Sequence, residues 1–168
     1  RLSYIAQNNN SKTELATVMY STLRERALSM HALPILADSF YKDEEIQRFN
    51  TDGAKYVEAR RRLESMQLTR EESDILARIR ELTREAQPVV QEVVEMSTFS
   101  NDQAEIFEKI RNVAMPRQRE IADQLEAVGQ PLGIKPILQA IEQDWPERVV
   151  AATRVAAGEN DDRRDHRV

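Results

Sequence analysis

From Ile75 to Met96 the apolar residues Ile75, Ile79, Leu82, Ala86, Val89, Val93 and Met96 recur at steps of three and four. That spacing puts them along one edge of a helix and on no common face of a strand. Three other segments repeat the pattern. The first runs Ala16, Tyr20, Leu23, Ala27, Met30, Pro34, Ala37 and Tyr41, widened by Met19, Leu33 and Phe40. The second runs Ile46, Phe49, Gly53, Tyr56, Arg60 and Leu63, and the fourth Phe107, Ile110, Ala114, Arg117, Ile121, Leu125 and Val128. Steps averaging about 3.5 residues predict rods that cross at shallow angles. With only four Gly and 5% aromatic residues, little in the chain favours sheet. The expectation is an all-α, up-down-up-down antiparallel four-helix bundle over residues 1–128.

The punctuation supports that order. Thr69 with Glu72 reads as a capping box, and Ser100 with Gln103 reads as a second. Asp43, Glu44 and Glu45 place negative charge where the second helix dipole is positive. Short connections near 38–43, 67–70 and 98–101 make consecutive helices antiparallel neighbours. Pro34, Pro88 and Pro116 fall inside helical patterns and predict kinks. Asn8, Asn9 and Asn10 predict a frayed first helix, or an extension held by something outside this chain. Gly129, Pro131, Gly133 and Pro136 predict a break in the fourth helix, followed by a short helical extension over 129–157. The charged stretch 158–168 is expected to be disordered.

Charge and residue inventory narrow the chemistry. Lys plus Arg total 24 against 29 Asp plus Glu, a net charge of −5, so the chain lacks the summed field that holds a nucleic-acid backbone. There is no Cys, hence no disulfide, thiol nucleophile or thiolate zinc site. His31 and His166 are the two histidines, and the Glu-x-x-His pairs of bundle metal sites are missing. Asp38, Asp43, Glu44 and Glu45 are explained by helix capping. No catalytic residue, metal or cofactor is expected, and the chain reads as a non-enzyme.

Arginine is the informative residue. Counted outward from the turns, Arg24, Arg60 and Arg78 fall at one height on three helices, with Arg26 half a turn further along. Arg60 and Arg117 occupy stripe positions themselves. A guanidinium there needs partners, because burying it bare is prohibitively costly. It can pair with Glu64, Asp74, Glu120 or Asp123, snorkel to the surface, or grip an anionic ligand.

The segment Leu23-Arg24-Glu25-Arg26 through Met30, followed by Ala37-Asp38-Ser39-Phe40-Tyr41-Lys42-Asp43-Glu44-Glu45, resembles the first helix and turn of periplasmic four-helix-bundle sensor domains. Tyr56, Arg60 and Leu63, then Leu68-Thr69 with Glu72, then Ala86-Gln87-Pro88, continue the likeness over about residues 15–128. It is strongest to the input domains of GGDEF/EAL diguanylate cyclases and phosphodiesterases, with chemotaxis transducers and histidine kinases as relatives. The resemblance implies a homodimeric domain on the periplasmic side of the bacterial inner membrane, flanked by spans outside this chain. It implies a cytoplasmic output controlled by helix movement when a small anion or a periplasmic partner protein binds. Arginines hold ligand carboxylates in such receptors, which makes Arg24, Arg26, Arg60 and Arg78 the candidate ligand-binding residues. The rival reading is a ligand-free interaction or scaffold bundle. One departure stands out: relatives run a straight fourth helix to the membrane, whereas Gly129 to Pro136 interrupts it here.

Overall fold

Proline and capping chemistry set where each helix begins and ends. The structure is a computed structural model that describes residues 2–132 and 134–158. Among them every regular element is helical: α1 (Leu2–Ala32), α2 (Ser39–Glu64), α3 (Arg70–Phe99), α4 (Gln103–Lys109), a π-helical turn (Ile110–Ala114), α5 (Met115–Leu132) and α6 (Lys135–Ala156). The all-α expectation holds.

Several boundaries differ from the sequence reading. The first helix ends at Ala32, so Pro34 lies in a turn rather than within a rod. Pro34 has no N–H for the carbonyl four residues back and disfavours helix at Leu33. Asp38, accepting from the Phe40 amide at 2.7 Å, is the cap that starts α2. Phe40 and Tyr41, assigned above to the first stripe, therefore stand exposed in the opening turn of α2. The capping box of Thr69 and Glu72 forms as read. The second does not: Asp102 caps α4 by accepting from the Glu105 amide at 3.0 Å, and Ser100 closes α3. Asn8 to Asn10 do not interrupt α1, which is continuous from Leu2 and leaves Leu2, Tyr4 and Ile5 exposed.

Pro88 sits within an unbroken α3. Pro116 follows the π turn, whose wider backbone makes room where a proline ring would strike the carbonyl of Asn112. The π turn also advances the phase of the fourth rod. Ile110 and Ala114 point inward, but the next buried position is Gln118 rather than Arg117. Arg117 turns outward and meets Glu85 at 4.0 Å.

The break expected over 129–136 is narrower, and the extension expected over 129–157 holds one continuous helix. Helix α5 reaches Leu132, and α6 spans 22 residues with Pro146 inside it. A Cβ on Gly129 would stand 2.5 Å from Cγ1 of Ile134, so glycine is what lets the chain fold back so closely. Apart from Gly158, which has φ of 75°, the tail expected to be disordered lies outside the described residues. So does His166.

Helix α1 packs along α2, α5 and α6, and α3 packs along α5, while α2 and α3 touch sparsely. Lys12 of α1 meets Glu72 at the start of α3, and Ala27 and Met30 share a cluster with Val90 and Val93. The two helices therefore run in the same direction. The apolar interior falls into two clusters, one around Leu23, Tyr56, Ala86 and Ile121, the other around Ala27, Phe49, Val90 and Ala114. Between them lies a polar level. No helix of the described residues is long and apolar enough to cross a membrane.

Candidate anion-binding cleft

The polar level is built from one residue or two on each of four helices. Arg26 comes from α1, Gly53 and Tyr56 from α2, Thr83 and Gln87 from α3, and Gln118 from α5. It opens between α2 and α3, which touch sparsely. There the Tyr56 hydroxyl and Thr83 Oγ1 lie 3.0 Å apart and tie the two helices. Lys42 Nζ donates to the Ser97 carbonyl at 2.8 Å and ties them again further along. A cleft of about 440 Å³ lies beside the Tyr56 tie, with Arg26 in its lining and Glu58 and Arg61 at its mouth. A smaller chamber of about 20 Å³ continues inward to Gln118, sharing Arg26, Tyr56, Thr83 and Gln87 with the cleft.

Arg26 is held by packing rather than by charge. Its guanidinium carbon stands 4.1 Å from the centre of the Phe49 ring, a cation–π contact. Gly53 makes the position available, since a Cβ there would lie 3.3 Å from both the guanidinium carbon and Nε. The Nε is sealed from solvent without a hydrogen-bond partner. No carboxylate of the described residues forms an ion pair with Arg26. The carboxylate whose charge bears on it is Asp52, itself buried and placed 3.6 Å from Lys55. Burial lowers the Arg26 pKa, which Tyr56 and Asp52 partly oppose. Burial likewise raises the Tyr56 hydroxyl, against the hydrogen bond with Thr83 and the nearby charges of Arg60 and Arg26. The cleft and chamber together offer the guanidinia of Arg26 and Arg61, the hydroxyls of Tyr56 and Thr83, the amides of Asn50, Gln87 and Gln118, and the carboxylate of Glu58. With two guanidinia against one carboxylate, it is suited to binding an anion.

The four candidate arginines do not share one site. Arg24 lies on another face of α1, buried and covered by α6. It pairs with Glu142, which also accepts from the Tyr20 hydroxyl, and its guanidinium carbon is 4.9 Å from the Trp145 ring centre. Its charge is already matched. Arg60 sits a turn from the cleft, its Nε 3.8 Å from Glu64. Arg78 is exposed on the outer side of α3, in a shallow hollow with Glu85, Arg117 and Glu120. The expected turn near 38–43 lies several residues beyond the end of α1 at Ala32, so heights counted from it do not align.

Glu142, Gln118, Thr83, Gly53 and Phe49 were not read from the sequence as site residues. Gln118 carried a signal, being four residues after Ala114 and three before Ile121, the phase of a buried stripe. No group of three or more acidic, His or Cys side chains among the described residues is placed to hold a metal. His31 is structural, its Nδ1 donating to the Ala27 carbonyl at 2.7 Å. No family model, curated protein or solved structure matches this chain.

Proposed function

We propose that the chain is a sensory input domain that recognises a small anion in the α2/α3 cleft, with Arg26 as the principal contact. The observation that carries this reading is the unmatched guanidinium. A guanidinium drawn partly out of water needs a partner, and the half-buried Arg26 has a ring behind it and an open cleft before it. An anion of a few heavy atoms would complete the coordination by bidentate hydrogen bonding.

The finer architecture belongs to the same proposal. Helices α1, α2, α3 and the α4–α5 rod form a four-helix bundle, and α6 lies along α1 as a fifth helix. In the whole protein the domain stands on the periplasmic side of the inner membrane as a homodimer, between spans outside this chain. A ligand that closes α2 toward α3 acts through its differential affinity for the open and closed arrangements. Thermal unfolding with added acetate, phosphate and sulfate tests the reading. Saturating a specific site a hundredfold above Kd adds about 2.7 kcal/mol of stability, and Arg26→Gln should remove the response. A melting temperature unmoved by every anion, or moved equally in the variant, would overturn it and favour the scaffold reading, to which the exposed Leu2, Tyr4 and Ile5 on α1 belong.

A further inference from the structure

Gln118 is only 1% exposed, and its side-chain oxygen has no hydrogen-bond partner in the protein. An orphaned buried acceptor carries a desolvation penalty that native interiors rarely leave unrelieved. Arg26, Tyr56, Thr83 and Gln87 line the same inner chamber, whose remaining wall is apolar. That chamber, about 20 Å³, accepts a group the size of one water or one hydroxyl and nothing larger. The cleft outside it accommodates a small molecule's remaining atoms.

On the strength of the anion reading above, we propose that the cleft selects a short 2-hydroxycarboxylate and that Gln118 is the residue that reads the hydroxyl. The carboxylate lies on the guanidinium of Arg26, which lines both spaces. The hydroxyl enters the chamber, donates to Gln118 Oε1 and accepts from Arg26 or from a neighbouring hydroxyl. A hydroxyl can donate to the orphan oxygen and at the same time accept from a donor in the lining. A carboxylate without it leaves the Gln118 oxygen unsatisfied, and sites built to bond a hydroxyl discriminate strongly against analogues that lack one.

Calorimetric titration of the full chain with glycolate and with acetate tests the proposal. The wild type should bind glycolate at least tenfold more tightly than acetate. Gln118→Leu should bring the two affinities to within about threefold, and circular dichroism should show it folded. Gln118→Glu, a second variant, should weaken both by placing a carboxylate beside the anion. Equal wild-type affinity for the two ligands overturns the hydroxyl reading and leaves the anion site standing. Preference retained in Gln118→Leu overturns the role of Gln118. Absence of binding by either ligand overturns the proposal together with the anion reading beneath it.

Discussion

Lys12→Met tests whether a charge pair fastens α1 to the start of α3. Lys12 Nζ lies 2.7 Å from Glu72 Oε2, and the two side chains are 5% and 7% exposed. Glu72 is at the same time the reciprocal arm of the capping box, accepting from the Thr69 amide at 2.8 Å. Removing one partner of a buried pair costs about 3–5 kcal/mol. Two features reduce that here. The Thr69 amide continues to stabilise the carboxylate, and Glu72 can take up a proton, which from an ordinary value of 4.5 costs roughly 3.4 kcal/mol at pH 7. Protonation sets the ceiling, so the expected loss is about 2–3.5 kcal/mol, or roughly 5–10 °C in melting temperature.

Urea unfolding followed by circular dichroism at several pH values measures this loss and its sign. In the wild type, burial pushes the Glu72 carboxyl up. The bonds from Lys12 and Thr69 outweigh that and hold it below the usual range. Its contribution is therefore present above about pH 4.5 and lost as pH falls through the lowered value. In Lys12→Met the carboxyl rises instead, so that variant should recover stability relative to wild type as pH falls toward about 4.5. Lys12→Met combined with Glu72→Gln, which keeps a capping residue at that position, should recover most of the loss at pH 7. A single-variant cost under about 0.5 kcal/mol, with an unchanged acid limb, refutes the reasoning.

Glu142→Gln should loosen α6, because Arg24 and the Tyr20 hydroxyl both depend on that carboxylate. Since Glu142 is a third exposed, the cost is about 1–3 kcal/mol, and fluorescence of the single Trp, Trp145, should shift to the red. Gly129→Ala forces its Cβ against Ile134 and should cost about 1–3 kcal/mol in urea unfolding, with the change confined to the α5–α6 junction in hydrogen exchange. Stability should decline as pH rises past about 10, because Tyr56 and Tyr20 ionise less readily folded than unfolded. Tyr56→Phe should make the alkaline limb of the urea midpoint shallower.

Much of the helical architecture was legible, because capping and periodicity are local. Thr69 and Glu72 act on backbone within one turn, and Ile79, Leu82, Ala86 and Val93 of the α3 stripe are buried, while Ile75, Val89 and Met96 are half-buried beside the buried Leu76, Val90 and Ser97. Where two local signals competed, the reading failed. Asp38 and the acidic run from Asp43 to Glu45 both mark a helix start, and only the hydrogen bond to the Phe40 amide decides between them. Arg117 was placed in the seam because a uniform period was assumed, and the π turn ahead of Pro116 breaks that uniformity. The partner of Arg24 could not be read, since Glu142 is 118 residues distant and reaches it only because α6 folds back onto α1. Arg26 was named, but its significance depends on what fails to approach it, a fact of three-dimensional packing.

Arg24 and Arg26 are two residues apart on α1, hence roughly 200° apart around its axis. One is clamped to α6, and the other stands in the opening beside α2. That segment of α1 is thus a shaft with a load on each side. Torsion or sliding imposed at the opening reaches the α6 clamp through less than one helical turn of covalent chain. A reporter on Trp145 would therefore register what happens on the far side of the shaft.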